Sequence, residues 1–236
     1  MKNLLIICIF FLEHFNGIVY CQTTNKILVN DSLKQKMLDG FFEVAYDSIV
    51  EVVKINNCLG KKIYYIGTHH IGTEKYYNTI KTKIDSLHKR GYILYYEGTR
   101  PDTSRGFLFR RMIIKKYIKI MGEIYDINKQ YNEVASKFEG LIAQPIIDSL
   151  GGNSADVNAD VSERDMVEYY EQKYGTVNDS IIYQKNYNEI RNDIILEFRN
   201  KRLYNLIKMS KHRKILILFG MHHKEYLSKC FQEKYD

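Results

Sequence analysis

Lys61-Lys-Ile-Tyr-Tyr-Ile-Gly-Thr-His-His70 and Lys214-Ile-Leu-Ile-Leu-Phe-Gly-Met-His-His223 are near copies of one another. Aligned on Gly67 and Gly220, each reads as a basic start, a β-prone run, Gly, one residue and a histidine pair. A β-rich run that stops at Gly and delivers an imidazole is how a sheet presents functional groups at its carboxyl edge. Imidazole is also the commonest metal ligand and the side chain best suited to acid–base work near neutral pH. The chain has seven histidines, and these two stretches hold four of them.

A third run supplies an acid. Gly91-Tyr-Ile-Leu-Tyr-Tyr-Glu97 is β-prone throughout and breaks at Gly98. Three strands ending in His70, Glu97 and His223 would give two nitrogens and one oxygen, a donor set for a divalent metal ion with an open coordination position. A single His or Glu at a strand end is commonly a solvated loop residue; it is the duplicated context that argues for function. Neighbours in an extended chain face opposite sides, so one histidine of each pair, His69 and His222, is expected to point away.

With Ile49-Val-Glu-Val-Val-Lys-Ile leading into the first run, the motifs in order are Gly67-Thr-His-His70, Glu97, Arg199-Asn200 in Glu197-Phe-Arg-Asn-Lys-Arg-Leu, and Gly220-Met-His-His223. In this order, from about Ile49 to Leu227, the chain resembles the TraB/GumN family, which includes TraB, PrgY and the Tiki proteins and is related to EreA and ChaN. The resemblance implies a mixed α/β fold and metal-dependent hydrolysis, proteolytic in Tiki-like members. It implies His70, Glu97 and His223 as ligands of Mn, Co or Zn, or His70 and His223 as ligands with Glu97 deprotonating the water. Arg199 is then expected to stabilise an oxyanion or orient Glu97, with Asn200 as hydrogen-bonding support. Phe198 stands where the family commonly has an acid, and only Lys224 to Asp236 follow His223. Relatives usually continue into a further strand, so either that edge of the sheet is absent or the sequence is truncated. Two other classes remain open: a haem or iron binder like ChaN, and a non-catalytic peptide-binding protein with a degenerate site.

At 236 residues the chain is long enough for one domain with a substantial core, and 45% apolar content is globular. The formal net charge is +7, with no basic, aromatic-laced motif of the kind that binds nucleic acid. Heavy tyrosine use without Trp reads as compositional bias. Met1-Lys2-Asn3 followed by the apolar run Leu4 to Leu12 reads as a secretory leader, with cleavage expected after Cys21 (residues 1–21) and export to the periplasm or medium. A lipid anchor on Cys21 and an uncleaved N-terminal anchor are the alternatives. Export would leave Cys58 and Cys230 as the mature cysteines, able to pair if the fold brings them together. The expected partner is a peptide or protein substrate.

The expected architecture is a single α/β domain over 22–236, its mixed sheet built from two related strand–Gly-x-x-His–helix halves. Asn30 to Leu38 reads as a helix capped by Asp31. Ser48–Ile55 and Lys62–Ile66 form a hairpin, and a helix runs from Glu74 to a stop at Gly91. A mostly helical insertion spans about 99–162 and is expected to cap the site. Within it Phe109, Met112, Ile113, Tyr117 and Ile120 form a stripe opposite Arg110, Arg111, Lys115, Lys116 and Lys119, a pattern that fits packing on the sheet or contact with an acidic membrane surface. Asp156-Val-Asn-Ala-Asp160 resembles the start of a calcium loop but lacks its Gly and Glu. Asp160 or Ser162 therefore reads as the cap of a helix beginning near Glu163. Ile181 to about Ser210 is expected to be a long helix. No His-Glu-x-x-His, Gly-x-Ser-x-Gly or phosphate loop occurs.

Overall fold

The computed structural model describes residues 31–56, 59–100, 106–121, 127–178 and 187–232. The expected leader, Cys21 and Cys58 lie outside them. In chain order the elements are α1 (Asp31–Ala45), β1 (Val53–Ile55), β2 (Lys62–Thr68), β3 (Ile71–Thr73), α2 (Glu74–Lys89), β4 (Ile93–Tyr96), α3 (Phe107–Met121) and α4 (Ile127–Ala135). There follow β5 (Leu141–Ala143), β6 (Val157–Asn158), α5 (Glu163–Tyr174), α6 (Tyr187–Asn192), a π-helical stretch (Asp193–Phe198), α7 (Arg199–Met209), β7 (Lys214–Gly220) and α8 (His223–Gln232).

β7 is the central strand of a mixed five-stranded sheet of order β1-β2-β7-β4-β6. Only β1 runs antiparallel; β2, β7, β4 and β6 are parallel neighbours. The two related runs therefore lie side by side, as Thr68 faces Gly220 across the ladder. Their motif glycines are offset by one, since Gly67 pairs with Phe219.

A parallel strand covered on both faces should be apolar at successive positions, and β7 is. Ile215, Ile217 and Phe219 face the layer of α7 and α8 through Leu203, Ile207, Leu227 and Phe231. Leu216 and Leu218 face α2 through Ile80, Ile84 and Leu87. Both faces of this strand are thus committed, which fixes its register. Partly buried Cys230 packs against the first of these layers.

The insertion differs from its expectation. Besides α3 and α4 it carries β5, which pairs with β3, and β6, which extends the main sheet. A three-residue and a two-residue strand are too short to show alternation in sequence. Their pairing comes from tertiary contact instead. The acids of the calcium-like stretch are engaged by the fold: Asp156 accepts a hydrogen bond from Leu94 N at 2.9 Å and lies 3.0 Å from His88 Nε2. Ser162 caps α5 in a capping box with Asp165.

The buried tyrosines pin the strand ends. The Tyr65 hydroxyl donates to Gly220 O at 2.6 Å, Tyr76 to Gly67 O at 3.0 Å and Tyr77 to His69 O at 3.0 Å. These carbonyls lie beyond or at the end of the ladder, where they would otherwise lack a partner. Tyrosine, read as bias from composition, is here a structural device.

Gly67 is required by close approach. A Cβ there would lie 3.1 Å from Met221 Cα, on the segment that carries His222 and His223. Gly67→Ala is expected to destabilise the protein by about 1–3 kcal/mol through overpacking, read as a lowered midpoint in thermal or urea unfolding.

Candidate functional site

The carboxyl ends of four adjacent parallel strands meet at one edge of the sheet. His70 follows β2, His223 follows β7, Glu97 follows β4 and Asp160 follows β6. Arg199 and Asn200 reach this edge from the first turn of α7, directly after the π-helical stretch. A π turn offsets the helix register, and such turns are common beside functional sites.

Arg199 organises the acids. Its Nε donates to Asp160 Oδ1 at 2.8 Å and its Nη2 to Asp160 Oδ2 at 2.6 Å. The same Nη2 donates to Glu97 Oε1 at 2.6 Å, while Gly220 N donates to Glu97 Oε2 at 2.5 Å. Asp160 also accepts from Gly98 N at 3.2 Å and Val161 N at 2.8 Å. Arg199, Asp160 and Asn200 are all buried. Burial pushes the Glu97 carboxyl up, but Arg199, His223, His70 and the Gly220 N–H more than offset it and hold the group at about 2. Burial likewise pulls Arg199 down, and Glu97 and Asp160 reverse this, so its pKa is raised.

His223 is held by its neighbour. Its Nδ1 lies 2.9 Å from Asn200 Oδ1, and since that oxygen only accepts, Nδ1 carries the proton. The lone pair is then on Nε2, which stands 3.8 Å from Glu97 Oε1. Burial depresses the His223 pKa to about 4, despite the Glu97 charge, so the ring is neutral at pH 7. The hydrogen-bond partner that orients the His223 ring is thus Asn200.

His70 is lowered by burial, opposed by the charge on Glu97. Its ring stacks on Tyr131 of α4, with centroids 4.6 Å apart and planes 13° from parallel. The insertion therefore covers the first histidine of the site.

The extra histidines behave differently from one another. His69 stacks on Tyr76 of α2 at 4.4 Å, and both its ring nitrogens are buried without a hydrogen-bond partner. It belongs to the packing behind the site. His222 is half-buried and within electrostatic reach of His70, and its Nε2 has no partner. Asn200 Nδ2 and Gln144 Oε1 are also buried and unpartnered. Phe198, in the position where an acid was expected, stacks on Tyr169 at 4.3 Å.

Asp160 was missed as a site residue because its sequence context fits a helix cap. The signal that could have found it is the excess of acids over helix starts in Asp156–Asp160.

Two neutral imidazoles beside a carboxylate have the donor chemistry for a first-row divalent ion. His70 and His223 bring their imidazoles to this edge. Glu97 has both oxygens engaged by Arg199 and Gly220, and no group of three His, Cys, Asp or Glu among the described residues is arranged to hold a metal ion. The arrangement therefore suits Glu97 as an anchored charge beside the histidines better than as a third ligand. No family model, curated protein or solved structure matches the chain.

Arg199→Met is expected to cost about 3–5 kcal/mol at pH 7, because it strands the buried Asp160 carboxylate and the partly buried one of Glu97. Glu97 has a folded value near 2 against 4.5 unfolded, so its ion-pair contribution is full above 4.5 and is lost as pH falls towards 2. The difference between wild type and variant in urea unfolding should shrink over that window.

His69 gives the opposite kind of test. Burial lowers its pKa from 6.5 to about 4, so the unfolded chain takes up its proton first and stability falls as pH drops from 6.5 to 4. His69→Phe keeps the stack and removes the titration. It is expected to unfold at higher urea than wild type at pH 5, by on the order of 1–2 kcal/mol.

Proposed function

We propose that this chain is an exported hydrolase of TraB/GumN type that cleaves a peptide bond with a water held at the carboxyl edge of the sheet. The observation that carries the reading is the His223 Nε2 lone pair, fixed by Asn200 and presented beside a Glu97 carboxylate that is ionised at neutral pH. Support comes from the order of the motifs and from their meeting at one edge of a mixed sheet.

His70 and His223 would hold a divalent ion, of which Mn, Co and Zn are all compatible with the donors. Such an ion, when bound, supplies a water acidified towards pH ~7 and polarises a carbonyl. Two carboxylates against one guanidinium leave one excess formal negative charge beside the histidines, which favours a cation there. The depressed His223 pKa keeps its lone pair available across the neutral range.

The chain's own groups divide the remaining work. Glu97 orients a water through the lone pairs that Arg199 and Gly220 leave, and its pKa near 2 makes it a charge anchor more than a proton acceptor. Asn200 sets the tautomer of His223. Tyr131, stacked on His70, limits water entry from the side of the insertion.

The test is hydrolysis of a peptide library by the purified protein with added manganese, cobalt or zinc, together with metal analysis. His223→Ala is expected to lower turnover by at least about 10³-fold and to reduce bound metal. His69→Phe should retain both. Wild-type protein that cleaves nothing while still binding peptides would replace the hydrolase reading with that of a binding protein. Equal metal content in wild type, His70→Ala and His223→Ala would remove the histidines as ligands.

A further inference from the structure

α3 opens the insertion, and its two faces have opposite fates. Ile113 and Ile120 are buried, and with partly buried Phe109 and Tyr117 they join a core cluster with Val167 and Tyr170 of α5. The other face is open. Phe107 is 77% and Leu108 79% exposed, among the largest exposures of any apolar side chain described, and Met112 beside them is 42% exposed. Arg110, Arg111 and Lys115 are exposed beside them.

Spacing makes this a single surface. Phe107, Arg111 and Lys115 succeed one another at four-residue steps, as do Leu108 and Met112 in the adjoining row. The helix contains no acidic residue, so nothing on it neutralises the cations. Lys116, on the buried side of the charge pattern, is instead paired with Glu171 at 2.7 Å. The two basic faces are therefore used differently: one ties α3 to α5, the other points outward.

We propose that this outward face of α3 docks the protein on an anionic lipid surface. Large apolar side chains interleaved with cations match the boundary of a bilayer, where acyl chains lie directly beneath phosphates. A nucleic acid would satisfy Arg110, Arg111 and Lys115 but would leave Phe107, Leu108 and Met112 in water. No helix among the described residues is long and apolar enough to cross a membrane, and the amphipathic face of α3 suits a contact in the interface plane. The chain's formal charge of +7 adds long-range attraction to the same surface. Docking through α3 would bring the insertion, and with it the cover over His70, close to the membrane.

The chain has no tryptophan, so Leu108→Trp places a unique reporter on this face, which the apolar N-terminal run cannot imitate. Vesicles of phosphatidylglycerol and phosphatidylcholine are expected to shift its emission to the blue and to expose it to brominated-lipid quenching. Pure phosphatidylcholine should do neither. Adding Arg110→Glu, Arg111→Glu and Lys115→Glu to the reporter chain should weaken the partition by about 10²-fold or more, from roughly fivefold per cation at an anionic surface. All these positions are exposed, and far-UV circular dichroism checks that the fold is kept. An unshifted Trp, a shift of equal size with neutral vesicles, or one indifferent to charge reversal would each overturn the proposal. Binding to soluble polyglutamate without any response to vesicles would assign the face to an acidic protein instead.

Discussion

One buried guanidinium, that of Arg199, holds the carboxyl edge of the sheet together. It joins the acid after β4 to the acid after β6 and ties both to the start of α7, so three separate parts of the chain share one charge centre. Taking three ions out of water is expensive, and the arrangement is stable only because the hydrogen bonds are nearly all made. Backbone N–H groups of Gly98, Val161 and Gly220 complete the shells of the two carboxylates. The same contacts set the protonation of the site: the acid stays ionised, and burial keeps the histidines neutral beside it.

Strand order explains why the histidines can share that edge. β7 lies between β2 and β4, so the loops after all three leave the sheet side by side. Hydroxyls from Tyr65, Tyr76 and Tyr77 then fasten those loops by their carbonyls, from both layers of the core. Polar tips on apolar bodies suit this task, since each ring fills core volume while its oxygen reaches the ladder's end.

Much of this was legible in the sequence, for identifiable reasons. The duplicated β-prone runs announced themselves because both faces of β2 and β7 are packed, which demands apolar residues at nearly every position. α2 was readable from Ile80, Ile84, Leu87 and the stop at Gly91, whose φ of 79° suits glycine. The pairing of β5 with β3 was not readable, nor was that of β6 with β4, because strands of two or three residues owe their existence to a neighbour. Among the site residues, His70, Glu97, Arg199, Asn200 and His223 stood in recognisable motifs. Asp160 did not, because an acid just before a helix has an ordinary explanation, and only the position of Arg199 in space reveals another. The separation of His69 from His222 also depended on packing: alternation predicts that neighbours diverge, but a loop past the strand's end is free of that rule.

The π-helical stretch Asp193–Phe198 sets a constraint on how this chain can vary in length. A wide turn accommodates one residue more than α-helical hydrogen bonding would, and everything after it is rotated by about a quarter turn or slightly more. Asp193 within it accepts hydrogen bonds from Tyr169, Tyr174 and Lys173, which hold the bulge against α5. Losing a single residue there would give a smoother helix. It would also swing Arg199 and Asn200 together off the sheet edge, uncoupling both carboxylates and His223 in one event. Among descendants of this fold, a one-residue deletion in the stretch is therefore expected to disturb the sheet edge more than a substitution at exposed Glu197, and the irregular turn is what keeps Arg199 and Asn200 aimed at that edge.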